Sequence, residues 1–188
     1  MKKTITIFLS LILVASLSQP LMAKNNKLVV RTNFRMPHGI FQDVYGSMNL
    51  EFSGMFVLQF YKMFELMIEG SYYRDNGDMT ISQEQVTWTD KSISYGMRAR
   101  IIKLKDKFHL FAGAGARSFW VEEKVPARFE PFSDSGTGFY VEAGTYWYLS
   151  KLLLVEINTK YVWQEIEVIN EVTPFGGFCL GIGIGIQF

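Results

Sequence analysis

The stretch that decides the fold is Phe178-Cys179-Leu180-Gly181-Ile182-Gly183-Ile184-Gly185-Ile186-Gln187-Phe188. Apolar side chains fill its even positions and small or polar ones its odd positions, the period of a strand with one oily face. Wound into a helix, it would scatter its isoleucines around the circumference. Gly181, Gly183 and Gly185 would then sit in the helix interior at about 1 kcal/mol each relative to alanine. As a strand it lines up Phe178, Leu180, Ile182, Ile184, Ile186 and Phe188 on one side.

Seven further segments carry the same alternation, each close to the ~9 to 11 residues a tilted strand needs to cross a bilayer. They span residues 27–36, 48–60, 64–72, 93–101, 108–121, 139–147 and 153–163. In the first, Leu28, Val30, Thr32 and Phe34 oppose Arg31, Asn33 and Arg35; in the fourth, Ile93, Tyr95, Met97 and Ile101 oppose Ser94, Arg98 and Arg100. The expected fold is all-β, an eight-stranded antiparallel transmembrane barrel with up-and-down meander topology. Connections alternate between short (61–63, 103–107, 149–151) and long (37–47, 74–90, 122–136, 164–176). Outer-membrane barrels have short periplasmic turns and long external loops, so both termini are expected on the periplasmic side.

Ahead of the strands, Met1-Lys2-Lys3 precedes an apolar run and then Ser18-Gln19-Pro20-Leu21-Met22-Ala23. This reads as a cleavable signal peptide over residues 1–23, leaving one barrel domain over 24–188 and an exported destination. The run is too short for a membrane helix. Losing Lys2 and Lys3 takes the formal charge from +1 to −1, a balance that gives no support for nucleic-acid binding. Cys179 is the single cysteine, so no intrachain disulfide can form.

A soluble lipocalin-like barrel also alternates, with its apolar face inward. Three features oppose that reading. Aromatic residues of the apolar face gather at strand ends, Phe60, Phe64, Phe108, Trp147 and Phe188 toward the short turns and Phe34, Tyr72, Trp120, Phe139, Trp163 and Phe178 toward the long loops. Such rows suit the two interfaces of a bilayer. Charges avoid the apolar face except at strand margins, at Lys91, Lys103 and Glu165. The polar face carries few charges and nearly balanced ones: Arg31, Arg35, Arg98, Arg100, Arg117 and Lys160 against Glu51, Glu65, Glu69, Glu142 and Glu156.

The terminal alternation ending in Phe188 resembles the C-terminal assembly signal of outer-membrane barrels, which implies recognition by the barrel-insertion machinery. Phe111-Ala112-Gly113-Ala114-Gly115-Ala116 and the hairpin over 139–154 resemble the OmpA/OmpX-like small-barrel superfamily. Outer-membrane lipids, lipopolysaccharide among them, are the partners this implies.

An eight-stranded barrel encloses only enough space for its own side chains. The charged residues of the polar face are therefore expected to pair into a network that plugs the lumen, with Gly181, Gly183 and Gly185 leaving room for arginine or tyrosine. The favoured role is structural or interactive, carried by the external loops through residues such as Phe41, Tyr45, Trp88, Phe129 and Phe132. A narrow porin-like channel is the alternative, followed by a lipid-modifying barrel enzyme. His38 and His109 are the only histidines and fall at opposite ends of the barrel, which leaves a Ser–His–Asp arrangement without support. His109 is expected to hydrogen-bond in the lumen, and Cys179 to be an inert buried thiol. Asp75, Asp78 and Asp90 lack the regular alternate spacing of a calcium loop. No metal or cofactor is expected.

Overall fold

The computed structural model describes residues 25–37, 48–78, 85–104, 107–125, 131–168 and 171–188. Its strands in chain order are β1 (Lys27–Pro37), β2 (Asn49–Gln59), β3 (Phe64–Asp78), β4 (Gln85–Leu104), β5 (Phe108–Lys124), β6 (Phe132–Tyr148), β7 (Leu153–Trp163), β8 (Glu165–Val168), β9 (Glu171–Pro174) and β10 (Gly177–Gln187). Eight of them close a barrel in the order β1-β10-β7-β6-β5-β4-β3-β2, while β8 and β9 form a separate hairpin. The segment expected to be a signal peptide lies outside the described residues.

Closure depends on the decisive stretch. β10 pairs antiparallel with β1, setting Arg31 opposite Gly183 and Asn33 opposite Gly181. Reciprocal backbone bonds of 3.0 and 2.9 Å between Asn26 and Phe188 finish the seam, so neither strand is left as an open edge.

The side-chain distribution follows the parity read from the sequence. Ile182 and Ile184 on the outer surface are 52% and 63% exposed, while Arg31 and Arg98 inside are each 1% exposed. A lipocalin-like barrel needs the reverse, with oily side chains inside and ionised ones outside. The outward rows of β1, β2, β7 and β10 instead form an exposed apolar belt.

The strands differ in length. β1, β2, β7 and β10 have 11 residues each, whereas β3, β4, β5 and β6 have 15, 20, 17 and 17. Three of the expected long loops are affected. Residues 74–78 and 85–90 are paired strand, as are 122–124 and 132–136. In the fourth, 164–176, β8 and β9 pair as a hairpin of their own. Hydropathic alternation fades where both faces of a strand are polar, but backbone pairing does not need it, so the sheet continues as a wall past the apolar belt. At the opposite end, a register shift between Arg100 and Ile102 leaves both Ile101 and Ile102 exposed.

Candidate functional site

The inward positions of eight strands converge on the lumen, and their charges assemble in three tiers. Nearest the termini, Lys27 bonds Glu65 at 2.5 Å, the Tyr146 hydroxyl donates to Glu65 at 3.1 Å, and Arg100 lies 3.4 Å from the same carboxylate. Arg100 stays partly exposed at the mouth and donates to the Lys62 carbonyl. It is less enclosed than the sequence reading placed it.

The middle tier is the densest. Arg98 grips Glu142 through Nε and Nη2 at 2.6 and 2.8 Å, donates to the Tyr146 hydroxyl at 2.7 Å, and lies over the Phe111 ring at 4.3 Å. Arg31 reaches Glu69 at 3.0 Å and Glu156 at 3.1 Å, and Lys160 pairs with Glu69 from the other side. Tyr146 links the lower tiers by accepting from Arg98 and donating to Glu65.

In the upper tier Arg35 bonds Asp90 at 2.7 Å, and Arg117 bonds Glu51 at 2.8 Å and Asp90 at 3.3 Å. Above it the chemistry changes. Tyr73, Val86, Trp88, Phe119, Val121, Val125, Ile166 and Phe175 form a buried apolar cluster. Phe175 holds the centre, with ring centroids 5.7 Å from Trp88 and 5.3 Å from Phe119. Its carbonyl accepts from Arg35 at 3.0 Å, tying the cap to the ion pairs beneath.

Among the described residues the fully enclosed charges are Lys27, Arg31, Arg35, Arg98, Arg117 and Lys160 against Glu51, Glu65, Glu69, Asp90, Glu142 and Glu156. Their signs cancel one for one, as a low-dielectric interior demands. Two of these, Lys27 and Asp90, were absent from the sequence-derived set. Lys27 shares the parity of Arg31 and Arg35. Asp90 shares that of Ser92, Ser94 and Arg98, but it falls in the expected connection 74–90, whose polar stretch is in fact the start of β4.

Trp88, expected as an exposed loop contact, is 2% exposed inside the mouth. Phe132 packs against the same cluster. Phe41, Tyr45, Phe129 and His38 lie outside the described residues. The terminal glycines make room for several kinds of neighbour: a Cβ at Gly183 would sit 2.5 Å from Arg31 Cγ, one at Gly185 2.8 Å from Val29, and one at Gly181 against the amides of Asn33 and Asn158. Arginine thus explains one of the three and tyrosine none. His109, expected to hydrogen-bond, finds no partner among the described residues for either ring nitrogen and lies against Tyr148, centroids 4.9 Å apart. Cys179 is a buried free thiol. Among the described residues no group of three or more His, Cys, Asp or Glu could hold a metal ion. Asp90 pairs with Arg35 and Arg117, while Asp75 accepts from the Tyr73 hydroxyl at 3.3 Å.

Outside the lumen, Phe60, Phe64, Phe108, Trp147 and Phe188 project outward at the short-turn end, and Tyr72, Trp120, Phe139, Trp163 and Phe178 at the other, with Phe34 half-buried among them. On the wall, Thr89, Lys91, Trp120, Glu122, Ser133 and Ser135 border a recess of about 390 Å³.

No protein-family model matches the sequence, and no curated protein does. Solved structures do match. Neisserial surface protein A aligns with a TM-score of 0.66 at 10% identity, covering 87% of this chain and 97% of that one. OprG of Pseudomonas aeruginosa aligns at 0.65 and 10%, covering 89% and 97%. Ail of Yersinia pestis, in complex with the heparin analogue sucrose octasulfate, aligns at 0.59 and 12%, covering 88% and 99%. The fold is that of small eight-stranded outer-membrane barrels of the OmpA/OmpX-like type.

Proposed function

We propose that the chain is an outer-membrane protein that crosses the bilayer as a barrel with a closed lumen and acts without catalysis, as a structural or interaction module. One observation carries this reading: ionised side chains are enclosed and paired, while the surface around them is a largely apolar belt with aromatic rows at both margins. Water would not tolerate that exterior, and acyl chains would.

The tiers of ion pairs and the cap fill the axis, so diffusion of small solutes through the barrel is not supported. Purified monomer in a planar bilayer is expected to show no steady conductance. A stable open level in most insertions would restore the channel alternative. In cell fractions the protein is expected in the outer membrane, with a gel mobility that changes on boiling; recovery in the soluble periplasmic extract would overturn the membrane assignment.

Interaction is then left to the wall of β3 to β6 beyond the belt, where a rigid scaffold presents variable surface. The heparin analogue bound to Ail would meet a different surface here. The described residues of this end lean acidic, with Asp75, Glu122, Glu123, Asp134, Glu165 and Glu167 against Arg74, Lys91 and Lys124. Such a surface repels a polysulfate.

A further inference from the structure

The end that bears the termini has the opposite charge. Across the three short connections, residues 61–63, 103–107 and 149–151, the sequence has Lys62, Lys103, Lys105, Lys107 and Lys151 against Asp106 alone. Each turn also thrusts large apolar side chains outward. Tyr61 and Met63 flank Lys62, Leu104 precedes Lys107, and Leu149 and Leu152 flank Lys151, all of these apolar groups about half exposed or more.

Nothing in the turns requires the lysine side chains for folding. The first turn is held by backbone bonds between Tyr61 and Phe64, with Gln59 and Arg100 donating to the Lys62 carbonyl. The Lys107 carbonyl accepts from the Tyr148 amide at 2.8 Å. In the third turn the Ser150 hydroxyl accepts from the Leu152 and Leu153 amides. Lys62, Lys107 and Lys151 are exposed. An oily side chain beside a long-stemmed cation, repeated three times around one rim and continuous with the Phe108–Trp147 stack above it, matches a headgroup layer with acyl chains on one side and phosphates on the other.

We propose that this rim binds anionic glycerophospholipid: the apolar turn residues enter the acyl boundary while Lys62, Lys107 and Lys151 take lipid phosphates. The inference rests on the membrane-spanning reading and adds a lipid preference to it. It also gives the barrel a polarity, the basic end in a phospholipid leaflet and the acidic wall pointing away. One lysine near an anionic bilayer surface is worth about fivefold in affinity, so three acting together should discriminate lipids clearly.

The test reads Trp147 fluorescence in a W120F/W163F background, with Trp88 shut inside the mouth as a constant signal. The barrel is placed in phosphatidylcholine vesicles, and acyl-brominated phosphatidylglycerol competes against acyl-brominated phosphatidylcholine as quencher. A preference of about fivefold or more for phosphatidylglycerol is expected. It should fall toward one in the K62Q/K107Q/K151Q variant, persist with arginine at the same positions, and shrink at about 1 M salt, where the Debye length is about 3 Å. Equal quenching by both lipids in the starting protein, or a preference indifferent to the glutamine substitutions, would overturn the rim and leave the membrane reading standing. No quenching by either lipid would overturn both.

Discussion

Arg98 touches two carboxylates, a phenol and an aromatic ring at once, and each contact exists because another strand delivers it at the same height. Removing one partner of such a group leaves an uncompensated charge, whereas removing both partners need not. Arg98→Ala is therefore expected to cost about 3–5 kcal/mol. Pairing Arg98→Met with Glu142→Leu should recover part of the loss, as read by urea unfolding in detergent followed on gels. A loss in the double variant equal to the sum of the two single losses would mean that the pair is not coupled. The glycines give a second contrast. A methyl group at Gly183 meets Arg31, so Gly183→Ala should cost about 1–3 kcal/mol. Gly54 and Gly70 face open space, and alanine there should be neutral or stabilise by about 0.4–1 kcal/mol. Parity made most of these residues legible, since a charge between two isoleucines must point inward. Which carboxylate each arginine meets was not legible, because partners such as Arg31 and Glu156 are set by the register of strands far apart in sequence.

The eight barrel strands could be read because each crosses an apolar zone that writes a two-residue period into it. The upper parts of β3 to β6 could not, because polar wall strands such as Arg74-Asp75-Asn76-Gly77 have the composition of turns. The hairpin of β8 and β9 was missed for a different reason: four-residue strands are too short to show a period. That hairpin matters, since Ile166 and Phe175 on and beside it cover the upper ion pairs. The return into β10 runs through Gly177, whose φ of +147° favours glycine and whose Cβ would sit 2.3 Å from the Met36 carbonyl. Phe175→Ala should empty the centre of the cap and raise hydrogen exchange of the β8 and β9 amides at least tenfold, with β10 protection unchanged. Uniform loss of protection through the barrel would show that the cap and barrel open as one unit.

Seen as a whole, the molecule pairs its charges on the axis and faces its oily side chains outward, which is stable only where the surroundings are oily too. A cation placed on the outer belt measures that directly. Ile184→Arg, in the middle of the belt, is expected to cost about 2–4 kcal/mol in lipid vesicles, and less for a substitution near either aromatic row. The overall arrangement was legible because closing a strand pattern of this length in lipid has few solutions. The basic character of the turns is legible in their lysines, whereas the acidic wall is not, because residues such as Glu122 and Asp134 belong to strands that read as connections.

The most direct measurement of the central claim is a nitroxide scan in a Cys179→Ala background, with single labels at Leu180, Ile182, Ile184 and Ile186 in lipid vesicles. Collision with oxygen should be high and collision with a water-soluble nickel chelate low at all four positions, and oxygen collision should peak toward the middle of the strand. High nickel accessibility along the whole row would mean that this surface faces water, and the inside-out barrel would have to be abandoned.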